Sequence, residues 1–449
     1  MRSLKSFFTS QAPSAPGVRP VPFWSYRPKS DREAGDAVTS NFLLHWFPAK
    51  VSKSSLAWTY SFWLGTATAA LFLVTILSGL PLLFLYVPSV ERAYQSVKDI
   101  EYVVAFGRWL RAAHRLSAHG MVVVVVLHLA RVFFTGAYKN GIARNQHREW
   151  NWVIGVALLL LTLLLSFTGY LLPWDQLAFW AVTVGTNIAS SIPGIGPSVR
   201  ELLIGGRTIE QATLIRFYVL HVVFLPGIVG VLFGYHMWRV RKDGGLARAD
   251  REEVGEVVRH VSPTPTKTYT LLGVARGTSP AVTAQTLLAA DTTVNAVPDL
   301  LRRALIATLG TIAAVSILAV FIGSPLEEPA NALVTPNPAK APWYFLCLQE
   351  VVTDTTIHLA AFTINGAFIG GVLLPGAIVS LLTVWPWLDR SPREATGVWL
   401  PRSRRAQNIT FLVIALAILL LTYIGMELRG PYWQFYWPWQ AWPSVPGRI

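Results

Sequence analysis

Seven apolar stretches without a single charged side chain decide what this chain can become. They recur at about 58–86, 116–130, 152–174, 217–235, 304–323, 361–385 and 408–426. Several exceed the roughly 20 residues that carry a helix across a bilayer, and the shortest becomes membrane-long once His114 to Val132 are included. The chain is 53% hydrophobic and only 14% charged, so no soluble domain of comparable size is expected. The expected class is an all-α integral membrane protein with seven spans. Residues 1–57 contain no apolar core of the kind a cleaved signal needs.

A net charge of +14 would point to nucleic acid in a soluble protein, but its placement gives another answer. Assigning segments to alternate sides of the membrane puts eight Lys and Arg in the N-terminal arm, four in 131–151, ten in 239–303 and five in 390–405. Eleven fall on the other side. Excess positive charge marks the cytoplasmic face. The N-terminus is therefore expected inside and the C-terminus outside, in a cytoplasmic membrane of bacterial type. The basicity is thus mostly a topology signal, with contact to anionic membrane lipid as a secondary reading, and nucleic acid is not an expected partner.

Four histidines sit on two of the apolar stretches: His114 and His128, then His221 and His236, spaced 14 and 15 residues apart. At about 1.5 Å per residue, each helix carries two imidazoles about 21 Å apart, one near each membrane surface. The two helices are separated by one antiparallel span, so they run the same way. His114 is then level with His221 near the outer face, and His128 with His236 near the inner face. Ionisable groups inside spans are costly and mark function. Haem is the leading candidate for both pairs, because an iron with both axial positions filled passes electrons and does not bind oxygen. Interhelical hydrogen bonding is the plainer alternative for any one histidine, but it does not account for matched spacing and level in four. Gly65 and Gly79 on the first span, and Gly155 and Gly169 on the third, repeat the 14-residue interval. A missing side chain there would let a flat macrocycle approach the backbone, although small residues also serve plain helix packing. Arg111, Arg115 and Arg131 bracket the second span and Arg216 precedes the fourth. They are candidates for haem propionates or simple interfacial cations.

These residues lie in motifs that resemble cytochrome b of the quinol-oxidising bc and bf complexes: Arg111-Ala-Ala-His114, His128-Leu-Ala-Arg131, Gly169-Tyr-Leu-Leu-Pro-Trp-Asp-Gln176, the run from Ala212 to His221, and Pro342-Trp-Tyr344. The 15-residue spacing and Trp174-Asp175-Gln176 resemble the bf branch, in which a four-span protein and a three-span subunit are separate chains. The resemblance implies a cytoplasmic arm at 1–57 and a four-span dihaem bundle at 58–238. A cytoplasmic linker follows at 239–300, then a three-span part at 301–430 and an outer tail at 431–449. It implies two non-covalent b haems, on His114/His221 and His128/His236, with quinol and quinone as substrates. Implied partners are a Rieske-type iron–sulfur protein, a c-type cytochrome or similar acceptor, and a second copy of the complex. The outer segments 173–215 and 324–359 would enclose the quinol-oxidation pocket. Electrons would cross through the two haems, and protons would be released outside.

Cysteine and one substitution bound this reading. Cys347 is the sole cysteine, so a disulfide within the chain and a c-type attachment motif are both excluded. The bf branch holds an extra haem through a cysteine on its first span; Trp63 stands at the matching position, so no covalent haem is expected. The family's Pro-Glu-Trp-Tyr is Ala341-Pro342-Trp343-Tyr344 here, without the glutamate thought to take a proton from quinol. Glu350 is the nearest replacement in sequence, and Asp175 on the opposite wall is its rival. If helix continues past Tyr344, Glu350, Asp354 and His358 form one polar stripe, although Val351-Val-Thr argues against a regular helix. A dihaem anchor for a dehydrogenase is the main alternative. A haem-free transporter is the other.

Overall fold

The computed structural model describes residues 27–30, 33–36, 47–141, 147–243, 245, 293–359 and 362–443. Most of the expected linker and most of the N-terminal arm lie outside the described residues.

Seven helices are long and apolar enough to cross a membrane. They are α1 (Leu64–Leu85), α3 (Gly107–Phe134), α4 (Arg148–Tyr170), α7 (Gln211–Lys242), α8 (Ala296–Phe321), α10 (Gly366–Leu388) and α11 (Arg402–Leu428). Between them lie α2 (Ala93–Tyr102), α5 (Gln176–Ser190), α6 (Gly196–Ile204) and α9 (Trp343–Thr355), all at the end of the bundle that carries His114. At the opposite end a short pair, β1 (Lys50–Ser52) and β2 (Thr293–Asn295), ties the chain before α1 to the chain before α8. A second pair, β3 (Ile357–Leu359) and β4 (Phe362–Ile364), follows α9.

The surface of the spans is apolar, as a lipid-facing bundle requires: Phe84, Val231, Val320 and Leu419 are all exposed. Interior contacts use small residues, with Gly120 of α3 facing Leu71 of α1 and Ala112 and Ala113 packed on Ala319 of α8. Without a hydrophobic drive between helices in lipid, such close approach supplies the packing energy.

Two spans open into a π-turn just before a proline. Leu220–Phe224 precedes Pro226 in α7, and Ile369–Leu373 precedes Pro375 in α10. A proline inside a helix offers no N–H and crowds the carbonyl four residues back, and a wider turn relieves both.

The first four and last three spans are locked by charge at the His128 end. Arg404, 0% exposed, donates to the Phe133 carbonyl at 2.8 Å and to the Tyr138 hydroxyl, and its Nε lies 3.4 Å from Asp389. Tyr138 in turn donates to Asp389 at 2.7 Å, and Lys139 reaches the Asp389 carbonyl at 2.9 Å. Burial alone would push the Asp389 carboxyl up; the hydrogen bonds from Tyr138 and Ser391 and the nearby Lys139 outweigh it and hold the carboxyl low.

Candidate functional site

The four histidines meet in two pairs, as their spacing requires. The His114 and His221 rings have centroids 6.2 Å apart at 71°. Two imidazoles sharing one metal through bonds of about 2 Å have ring centres about 6 Å apart. His128 and His236 form the second pair, close enough to act on each other electrostatically.

The unequal spacings are reconciled by the π-turn. Fourteen residues at about 100° each stop about 40° short of four turns, whereas fifteen run about 60° past them. His221 lies inside the Leu220–Phe224 turn, whose extra residue absorbs the difference. Both histidine pairs then face the same way at both levels.

Second contacts settle which nitrogen is available. Ser78 spends its proton on the Val74 carbonyl at 2.6 Å, so its oxygen accepts from His114 Nδ1 at 3.0 Å. His221 Nδ1 donates to the Leu165 carbonyl at 3.1 Å, with Thr168 Oγ1 at 3.3 Å. In both rings Nδ1 carries the hydrogen, which leaves the Nε2 lone pair available to a metal.

Each of the four glycines faces one histidine ring. A methyl at Gly65 would meet His128 Cε1 at 3.2 Å, at Gly79 His114 Cε1 at 3.2 Å, and at Gly155 His236 Cε1 at 3.7 Å. At Gly169 it would meet His221 Nδ1 at 2.9 Å and Cε1 closer still. The space these glycines clear is thus used by the imidazoles themselves, a closer relation than the shared level read from the sequence.

The arginines divide. Arg111 is committed to Glu101 at 2.8 Å and to the Ser324 and Pro325 carbonyls at 2.8 and 2.9 Å. Arg216 bonds the Leu202 and Glu201 carbonyls at the C-terminal end of α6. Arg115 is half-buried and near enough to Tyr170 and Tyr344 to act on them electrostatically. Arg131 is only 4% exposed, lies 4.9 Å over the Tyr60 ring, and keeps Nε and Nη2 without a partner among the described residues. Buried guanidinium donors are rarely left so, and Arg131 is three residues from His128. Imidazoles paired at two levels, each seated against a glycine, and these unused donors fit a bis-histidine haem bearing carboxylates.

Beside the His114 pair lies a cavity of about 320 Å³ between α4, α5 and the start of α9, lined by Phe167, Tyr170, Trp180, Gly185, Pro342 and Gln349 among others. The two segments expected to enclose a pocket do come together. Asp175 joins them by capping α5 through the Ala178 amide at 2.9 Å and accepting the Glu327 amide at 3.3 Å. Burial pushes its carboxyl up while these amide bonds oppose the shift. Gln349 braces the Pro342 turn from both sides, accepting from the Ala341 amide at 2.8 Å and donating to the Ala339 carbonyl at 2.9 Å.

Two expectations are corrected. Glu350 does not face this cavity: it is 1% exposed and held by Arg429, whose Nε lies 2.9 and 3.1 Å from its two oxygens. Both carboxylate oxygens are turned to Arg429 rather than to the cavity. The polar stripe is also cut short. Helix α9 runs regularly through Val351-Val-Thr but ends at Thr355, so Glu350 and Asp354 share Arg429 while His358 falls in β3. Sequence reasoning missed His119, whose Nδ1 accepts from the Trp343 indole at 3.0 Å and whose ring meets Tyr344 edge-on at 5.7 Å. Its signal was a fifth histidine within the described spans, on another face of the helix from His114. Cys347 is half-buried, and burial, then Glu350, pushes its thiol up, which disfavours thiolate chemistry.

Comparison with known proteins agrees with this geometry. Residues 119–341 match the family model described as cytochrome b (N-terminal)/b6/petB, and residues 329–439 match cytochrome b (C-terminal)/b6/petD. Cytochrome b6 of Synechococcus elongatus is 41% identical over 181 residues, covering 40% of this chain and 81% of that protein. Cytochrome b6 of Heliomicrobium gestii is 41% identical over 183 residues, covering 41% of this chain and 83% of its own length. Among solved structures, a chain of a hyperthermophilic respiratory Complex III shares the fold with a TM-score of 0.64 at 24% identity, over 84% of this chain and 86% of that one. The chain therefore belongs to the cytochrome b family, as one polypeptide joining a b6-like N-terminal part to the C-terminal part of the same family.

Proposed function

We propose that this chain is the cytochrome b subunit of a quinol oxidoreductase complex that moves electrons across the membrane and contributes to proton translocation. The observation that carries the reading is the two-level pairing of His114 with His221 and His128 with His236, with an aromatic-lined cavity beside the first pair. When bound, the two haems would supply one-electron transfer between the levels. The protein's own contribution is positional. His114 and His221 present Nε2 atoms whose rings are oriented by Ser78, Leu165 and Thr168. Phe167, Trp180, Pro342 and Phe345 give a quinol ring an apolar seat that excludes water.

In this reading the His114 end is the outer face, the N-terminus is cytoplasmic and the C-terminus is outside. The four-span part at 58–238 holds both haems, and the part at 301–430 closes the quinol pocket. A Rieske-type iron–sulfur protein and a c-type cytochrome would accept the other electron, in a homodimeric complex without covalent haem. The cavity wall built by Pro342, Phe345 and Gln349 disfavours a dihaem anchor of a dehydrogenase, which would not need α9.

The test is quinol oxidation by the purified complex, with a reduced-minus-oxidised spectrum and haem staining after denaturing electrophoresis. Two b haems per chain, no covalent band and inhibitor-sensitive turnover are expected. A complex with two haems that does not oxidise quinol would leave the anchor reading, and a chain without haem would overturn both.

A further inference from the structure

The segment after the last span folds back onto the turn that opens α9. Beyond α11 the chain reverses: the Gly430 amide donates to the Gln434 carbonyl at 3.0 Å, and the Tyr436 amide to the Leu428 carbonyl at 2.8 Å. A methyl at Gly430 would lie 2.6 Å from Tyr436 Cδ2 and 3.2 Å from Trp442 Cε2, so only glycine lets these rings close over the reversal. Tyr432 and Trp433 both sit in the left-handed region, each at a φ of 58°. Two consecutive residues with side chains stay there only where their surroundings hold them. Here the Tyr432 amide donates to the Asn337 side-chain oxygen, and the Trp433 carbonyl accepts from Arg429 Nη1 at 3.2 Å. Lys340 donates to the Met426 carbonyl at 2.6 Å, and its ammonium lies 5.2 Å over the Trp442 ring. Arg429 also holds Glu350 on α9. These contacts fall at 337, 340 and 350, on either side of Ala339, Ala341 and Pro342, which line the cavity. Residues 337–342 have no helix or strand of their own. Gln349 braces them from one side, and the tail holds them from the other.

We propose that residues 429–443 clamp the wall of the quinol cavity, with Trp442 as a positioning residue that acts through Lys340. This rests on the proposed function above. Trp442 is not among the residues that line the cavity, so it does not act on the substrate directly. Its ring face attracts the ammonium of Lys340, which is joined to cavity-lining Ala339 and Ala341 on its two sides. An irregular turn fixed before the ligand arrives removes an ordering cost from binding. The clamp therefore belongs to the affinity for quinol and not to the electron-transfer step.

The test uses the assembled complex and two readouts: steady-state quinol oxidation and hydrogen exchange of the 337–345 backbone. Trp442→Ala removes the ring face and should raise KM for quinol roughly fivefold, with kcat and both haems unchanged and exchange over 337–345 faster. Trp442→Tyr keeps a ring face and should restore both quantities. A chain ending after Gly430, which retains Arg429 and its hold on Glu350, should raise KM further. Should that shortened chain not assemble, the contrast between Trp442→Ala and Trp442→Tyr carries the same test. Unchanged KM and unchanged exchange in Trp442→Ala overturn the clamp. A fall in kcat together with haem content, not restored by Trp442→Tyr, also overturns it, because the tail would then serve only assembly. Failure of wild type to oxidise quinol would instead count against the functional reading, and the exchange contrast would still decide whether the tail holds the turn.

Discussion

Single atoms set the tolerances of the histidine pairs. A methyl at Gly155 makes ordinary contact with His236 at 3.7 Å, whereas one at Gly169 would drive into the His221 ring. Gly155→Ala is therefore expected to keep both haems, and Gly169→Ala to lose the one at the outer level, halving the b-type absorbance per chain. Equal haem content in the two variants would refute the assignment of these glycines. Replacing His114 or His221 by Ala should remove the outer haem and leave a partner imidazole unpaired in the bilayer. Four such single histidine variants with unchanged spectra would exclude ligation. Glu350 belongs at this scale too. Its expected role as a proton acceptor gives way to an ion pair with Arg429, so Glu350→Gln should lower the stability of the assembled complex by about 3 kcal/mol more than it changes quinol turnover. Severe loss of turnover in a stable variant would reverse that conclusion.

At the level of elements, the bond from Trp343 to His119 links α9 to α3, and Trp343 stands between Pro342 and Phe345 of the cavity wall. His119→Ala leaves the indole without its acceptor and frees the turn. The expected result is a KM for quinol raised several-fold, from loss of a bond worth about 1 kcal/mol, with kcat little changed and both haems intact. His119→Gln retains an acceptor and should restore KM. Loss of kcat alone would point to a role in the reaction itself. The π-turn before Pro226 makes a complementary point. Four-residue turns alone would rotate His221 away from His236, so the proline, by favouring the wider turn, serves the pairing without touching a ligand.

The whole molecule is held together across its two parts by the buried group of Arg404, Tyr138, Asp389 and Lys139. Breaking a fully buried ion pair costs about 3–5 kcal/mol, and Arg404→Ala should separate the two parts in thermal unfolding of the detergent-solubilised chain. A single unchanged transition would show that lipid-facing packing suffices. The same cluster sets an acid limit. Because the Asp389 carboxyl is held below its usual range, its contribution is present above that range and is lost as pH falls through the depressed value. Protease added to right-side-out vesicles should spare both the N-terminal arm and the 243–300 segment, and cleavage of either would invert the proposed orientation.

Spans and histidine levels were legible in the sequence because hydrocarbon thickness and helical rise are fixed lengths, and residues of one helix count along them; the joining of a four-span and a three-span part was implied instead by the motifs' resemblance to cytochrome b. The pairing of Gly65 with His128 or Gly169 with His221 followed in level from that same ruler, but not in contact. What only the tertiary structure decided was the partner of each polar group. Glu350 looked available in sequence and is claimed by Arg429, 79 residues away; Arg111 is claimed by Glu101 and the 324–325 carbonyls. His119 shows its place only when α9 packs on α3. Periodicity is a property of one helix, whereas a buried charge or donor is satisfied across helices, by whichever group the folded bundle brings within about 3 Å.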